Sequence, residues 1–190
     1  HPSGLSAAMP VLPYLRYRKR GAPRFGRYFQ PRADSLYSVE VADHFYLRHD
    51  YLDSIWEATK RMHVAPEKPY MYSDANMVLM QRVIDSVNGV SLDSFLRMNF
   101  YEPLGMQQTG FHPLRWADET RIAPTENDQR WRYQLLRGHV HDETAALLGG
   151  VAGNAGLFAN ANDLGHLFQM LLNGGTYGGA RYLDARIVRQ

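Results

Sequence analysis

The chain of 190 residues contains no cysteine. That excludes a disulfide, a thiolate nucleophile and cysteine-ligated zinc, and it fits the cytoplasm and the periplasm equally. No stretch approaches the roughly 18–20 consecutive apolar residues that span a bilayer, and nothing at the start reads as a charged, then apolar, then small-residue signal. Lysine is scarce. The three lysines are Lys19, Lys60 and Lys68, and three places before them stand Arg16, Glu57 and Ala65, so these residues hold no Ser-x-x-Lys. Lys-Thr-Gly and His-x-Gly are also absent. There is no internal repeat, low-complexity tract or linker. The chain opens mid-phrase on "HPSGL" with His1, which predicts a piece of a longer polypeptide.

What is present predicts one globular unit, since 45% of the residues are hydrophobic and the net charge is only +2. Basicity is local: Arg16, Arg18, Lys19, Arg20, Arg24, Arg27 and Arg32 fall between positions 14 and 32, with no acidic residue among them. Tyr14, Tyr17, Phe25, Tyr28 and Phe29 interleave with these cations, the combination that pairs phosphates and stacks bases on single-stranded nucleic acid. No helix-turn-helix, RNP-like or zinc signature accompanies the patch, and its glycines and prolines fit a solvated loop, so nucleic acid is not the expected partner.

Hydrophobic spacing predicts helices more clearly than strands. Leu52, Ile55, Trp56 and Thr59 mark a helix over 51–62, ended by Pro66 and Pro69. Met80, Val83, Ile84 and Val87 recur at i, i+3, i+4 and i+7, with Ser73 or Asp74 as cap and Asn88-Gly89 as the left-handed stop. Ser91 opens a third helix through Leu92, Phe95, Leu96 and Phe100, broken at Pro103 and Gly105. Residues 110–137 read mostly as loop. "LLGGVAGNAGLF" (147–158) carries too much glycine for a packed helix and predicts a tight loop or a close backbone approach. Asn160 or Asn162 then caps a helix with Leu164, Leu167, Phe168, Leu171 and Leu172 on one stripe, and Asp184 opens one more.

Two stretches bear on chemistry. In "MYSDANM" (71–77) Tyr72 precedes a helix start, where a turn aims a side chain outward and the helix's positive end favours a phenolate. A phenol serves as a base when a nearby ammonium lowers its pKa; the competing role is a packed aromatic. "GHVHDE" (138–143) offers His139 and His141 on one face if extended, beside Asp142 and Glu143, half of a metal site with no third ligand at suitable spacing; no metal and no cofactor is expected. Asn154 lies mid-loop between Gly153 and Gly156, where it either lines a cleft rim or stabilises a turn.

The succession "HPSGL" (1–5), "YSDANM" (72–77), "GVSLDSFLRMNFYEPLGMQQTGF" (89–111), "GHVHDE" (138–143) and "LGGVAGNAGLFANANDLGHLFQMLLNGG" (148–175) resembles the penicillin-binding, class C β-lactamase-related serine hydrolases. The resemblance implies an α/β fold in which a helical lobe packs on an antiparallel sheet, with the active site between them. It implies a Ser-x-x-Lys serine that attacks an amide, lactam or ester carbonyl, a Tyr-x-Asn tyrosine as proton shuttle, and a Lys-Thr-Gly or His-x-Gly strand. By position Tyr72 matches the tyrosine, and Asp74 stands where asparagine is usual; an ionised carboxylate cannot donate as the amide does, which makes β-lactam turnover less assured. The nucleophile lies upstream of "SGL" in the family and the strand motif lies beyond the last helix. The resemblance therefore implies a mainly helical chain, 1–190 as a single partial domain with 1–50 mostly loop and 51–190 the helical lobe, from which most of the sheet is missing. Its partners would be a small-molecule or peptidoglycan-peptide substrate and the missing segments of the same polypeptide. It further implies a D-Ala-D-Ala-type peptidase, β-lactamase or esterase acting in the periplasm or outside the cell, with Tyr72 catalytic and Asp74 and Asn154 contacting substrate. The isolated 190 residues would be inactive. A non-catalytic binding or scaffolding module of the same fold is the alternative.

Overall fold

A computed structural model describes residues 3–6, 9, 11, 25–67 and 70–190. Most of the basic segment from 14 to 32 lies outside the described residues, so the nucleic-acid alternative raised for it rests on sequence alone.

The architecture is mixed rather than mainly helical. Strands β1 (Phe29–Gln30), β2 (Val39–Ala42) and β3 (Phe45–Leu47) form an antiparallel sheet in the order β1-β3-β2, inside a stretch whose sequence reads mostly as loop. Two further hairpins pair β4 (Pro124–Asn127) with β5 (Leu135–Arg137) and β6 (Thr176–Tyr177) with β7 (Ala180–Arg181). Strands of two to four residues carry too little alternation to register against the helical signal. The first sheet supplies the main core: the rings of Phe29, Phe45 and Trp131 meet at centroid distances of 4.8, 5.7 and 5.9 Å.

Helix α1 (Asp50–Lys60) buries Ile55 and Thr59, and the Thr59 hydroxyl donates back to the Ile55 carbonyl at 2.7 Å. Helix α2 (Asp74–Asn88) ends as its sequence predicts, with Gly89 in the left-handed region at φ 67° and its N–H donating to the Asp85 carbonyl. α3 (Leu92–Leu96) runs into a π-helical segment, Arg97–Tyr101. The loop predicted over 110–137 holds 3-10 turns at Pro113–Arg115 and Glu119–Arg121 besides the β4-β5 hairpin. α4 (Glu143–Leu147) was hidden by its short length, whereas α5 (Ala161–Leu172) starts at the expected Asn160 cap, whose side chain accepts from the Asp163 N–H at 2.8 Å. α6 (Ala185–Val188) is capped by Asp184, again as predicted.

Which faces are buried differs from the spacing. On α2 the core takes Ala75 and Val78, while Met80, Val83 and Val87 lie exposed, Val87 at 77%. On α5 the buried residues are Asp163 and Met170, with Phe168 and Leu172 exposed. Asp163 is interior because its carboxylate accepts from the Gln108 N–H at 2.7 Å and the Thr109 hydroxyl at 2.9 Å, tying α5 to the segment after the π-helical turn. Among the described residues no helix is long and apolar enough to cross a membrane.

Candidate active site

The site candidates begin at the entry to α2. Ser73 occupies the cap position in extended conformation, at φ −148°, yet its side chain makes no cap bond. It is fully buried, and its hydroxyl donates to the Ser6 carbonyl at 2.7 Å across 67 positions of sequence. The short "SGL" phrase is thereby laid beside the helix entrance. Leu5 bridges Val64, and the Gly4 carbonyl accepts from the Ala65 N–H at 2.8 Å. Gly4 sits at φ +76°, and a Cβ there would stand 2.6 Å from the Ala65 carbonyl oxygen, so this crossing requires glycine.

Burying Ser73 inward turns its neighbour outward. Tyr72 is 65% exposed, and Asp74 is half-buried on the first turn. Asn154 lies in the glycine loop that packs farther along that helix. Gln81 of α2 grips the glycine loop from both sides of its amide: Nε2 donates to the Val151 carbonyl at 3.2 Å, and Oε1 accepts from the Gly153 N–H at 3.1 Å. A Cβ on Gly153 would collide with the Met77 carbonyl, so the close backbone approach expected of this loop is a contact with α2. Replacing Gly153 by Ala is expected to destabilise the protein by about 1–3 kcal/mol in chemical denaturation, the usual cost of overpacking a fixed contact.

Asn154 follows directly. Its Nδ2 donates to Asp142 Oδ1 at 3.3 Å, and the same oxygen accepts from the Ala145 N–H at 2.7 Å to cap α4. Asn154 borders a cavity of about 300 Å³ together with Met77, Met80 and Gln81. Tyr72 and Asp74, at the entrance of α2, do not line that cavity, so it does not bring the three sequence-predicted positions together.

The histidines of "GHVHDE" part company. His139 is half-buried and lines a small cavity of about 50 Å³ with His112, and burial pushes both imidazoles below their ordinary pKa. His141 is exposed, its Nε2 3.7 Å from a Glu126 carboxylate oxygen. Among the described residues no group of three His, Asp or Glu side chains is arranged to hold a metal ion.

The sequence pattern gives little sign of a buried polar unit built on Arg132 and Asp128. Arg132, with its side chain fully buried, bonds Asp128 through Nε at 2.9 Å and the carbonyls of Val140 and His141 at 2.8 and 2.7 Å. Asp128 also accepts from the backbone N–H groups of Arg130, Trp131 and Arg132. Burial raises its carboxyl, but the Arg132 bond and those three N–H groups outweigh it and hold the pKa at about 2. The only trace in sequence is an acid and a base four places apart in "DQRWR". Because Arg132 fixes the carbonyls of Val140 and His141, it sets the segment that delivers Asp142 to Asn154.

Residues 22–190 match the family model described as Beta-lactamase, and the chain belongs to that family. It is 35% identical over 137 residues to a protein of Salmonella heidelberg strain SL476 that carries the name D-alanyl-D-alanine carboxypeptidase, an overlap of 66% of this chain and 32% of the relative. The chain thus spans about a third of the length of the curated relatives it matches. Among solved structures it is similar to D-amino acid amidase from Ochrobactrum anthropi SV3, with TM-score 0.51, 15% identity and coverage of 97% of this chain and 52% of the amidase. It is also similar to the octameric penicillin-binding protein homologue from Pyrococcus abyssi, with TM-score 0.50, 18% identity and coverage of 74% and 28%. At these identities the likeness establishes the fold, β-lactamase/transpeptidase-like.

Proposed function

We propose that residues 1–190 form the helical lobe of a serine hydrolase that cleaves amide bonds through an acyl-enzyme, with Tyr72 as proton shuttle and Asp74 and Asn154 on the substrate-binding side. The nucleophile, a Ser-x-x-Lys serine, is supplied by polypeptide outside these residues. In this scheme the serine oxygen attacks the carbonyl carbon and its proton passes to the Tyr72 phenolate. The phenol returns that proton to the leaving amine as the C–N bond breaks, and water then releases the acyl group. The names carried by the relatives, a D-alanyl-D-alanine carboxypeptidase and a D-amino acid amidase, support an amide of a D-amino acid as the substrate class. A D-alanyl peptide of the cell wall would place the enzyme outside the cytoplasm.

The observation that carries this reading is the bond between Ser73 and the Ser6 carbonyl, which sets the "SGL" phrase against the helix entrance while Tyr72 projects outward. In the family the nucleophile lies just upstream of that phrase, so the arrangement brings it toward the phenol. The apolar stripe of Met80, Val83 and Val87, exposed on α2, supports a surface that other polypeptide covers. A fluorescent penicillin or an alkyl phosphonate is expected to acylate the full-length protein and to leave isolated residues 1–190 unlabelled. Labelling of the isolated chain would show that its own residues supply a nucleophile, and an unlabelled full-length protein would remove the acyl-enzyme.

A further inference from the structure

The cavity of about 300 Å³ beside Asn154 is walled mainly by apolar side chains, Met77, Met80 and Ile84 from α2 and Leu96 and Tyr101 from the π-helical turn and the helix before it. Its size falls at the lower end of small-ligand sites, enough for one side chain rather than a whole peptide. Methionine walls adapt to apolar groups of different shape.

Tyr101 is the unusual member. It is the last residue of the π-helical segment, a conformation found frequently at functional sites. Its ring is only 6% exposed, and burial pushes its phenol up to about 12, so it is a neutral donor at any physiological pH. Among the described residues its hydroxyl has no hydrogen-bond partner, yet it is not one of the unpartnered oxygens sealed from solvent. Tyr101 borders two cavities, of about 300 and 490 Å³. A neutral phenol that makes no bond to a described residue is free to donate to a ligand.

The cavity lies along α2, past the entrance that carries Tyr72 and Asp74. Asp74, Met77 and Gln81 stand at i, i+3 and i+7 and share a face of α2. At 1.5 Å rise per residue the cavity wall begins about 5 Å along the axis from Asp74. A purely apolar plug would leave the Tyr101 hydroxyl unpaired, whereas a peptide-like molecule brings both an apolar group and a carbonyl.

We infer that this cavity receives the apolar side chain of the amide substrate, and that the Tyr101 hydroxyl donates a hydrogen bond to a carbonyl oxygen of the same molecule. The inference rests on the reading of the chain as part of an amide-cleaving hydrolase.

The test uses the full-length protein with D-phenylalaninamide and D-alaninamide as probes. Ile84→Trp fills the cavity and is expected to lower the ratio of kcat/KM for the first amide over the second by about 10- to 100-fold. Tyr101→Phe is expected to raise KM for both by about 3- to 10-fold without lowering Tm, since a hydroxyl serving only the packing would lower Tm when removed. An unchanged ratio in Ile84→Trp overturns the inference, as do equal losses on both amides, the result for a cavity covered by another part of the chain. A lowered Tm with unchanged KM in Tyr101→Phe also overturns it, and that variant decides the matter if Ile84→Trp does not fold. Acylation by penicillin with no turnover of either amide overturns this inference alone. Absence of any acylation overturns the hydrolase reading and this inference with it.

Discussion

Replacing Tyr72 by Phe in the full-length protein is expected to lower kcat/KM by about 10²- to 10⁴-fold, the range for loss of a positioned general base. The change removes one oxygen. The ring is mostly exposed, and its neighbour Ser73 anchors the helix entrance through Ser6. Tm should therefore stay near the wild-type value, as for most exposed substitutions. The two readouts together separate catalysis from folding: a lost rate with an intact Tm identifies a chemical role. A wild-type rate would take Tyr72 out of the reaction and leave it an exposed aromatic of the helix entrance. Asp74→Asn in the same background tests the neighbouring departure. An amide there can donate where the carboxylate cannot, so acylation by a β-lactam is expected to rise.

The largest stability effect is expected at Asp128. The Arg132 side chain is fully buried, and Asp128 is its close counter-ion; Glu126 approaches only to 3.5 Å. Replacing Asp128 by Ala leaves a guanidinium in the interior with its main partner gone, and breaking a buried pair in this way costs about 3–5 kcal/mol. For a protein of this size that corresponds to a fall in Tm of about 6–20 °C. The paired replacement Asp128→Leu with Arg132→Met removes both charges and should recover much of the loss, a coupling that a double-mutant cycle measures. Additive losses would show that the pair is not coupled.

The same pair sets a pH dependence. Asp128 titrates at about 2 in the folded protein against an ordinary value of 3.8, so its folded pKa is depressed. Its contribution to stability is then fully present above about 3.8 and is lost as the pH falls through about 2. Acid unfolding followed by fluorescence should show this component in the wild type, and Asp128→Asn should lack it.

Helix positions were legible because their signals are local. The stop at Asn88-Gly89 needs only a residue that tolerates the left-handed region, and the start at Asn160 needs only an oxygen within three residues of an unpaired N–H. The glycine loop was legible as a close approach, though not what it approaches: Met77 and Gln81 lie some seventy positions upstream. The three-stranded sheet over 29–47 was missed because its strands are two to four residues long and their partners define them. Asp128 and Arg132 were missed for a related reason. An acid and a base four places apart usually make an exposed pair, and here the carbonyls of Val140 and His141 hold the Arg132 side chain in the interior.

The sequence by itself determined where α1, α2 and α5 run, the family phrases and the position of Tyr72 at a helix entrance, since each depends on backbone bonds within four residues or on the freedom of a single glycine. Tertiary structure alone decided which face of α2 is buried, that Ser73 turns inward to Ser6 and so leaves Tyr72 outward, and that Tyr101 borders a cavity. These depend on which distant segments arrive at the helix, and that is set by the packing of the whole core rather than by any neighbour in the chain.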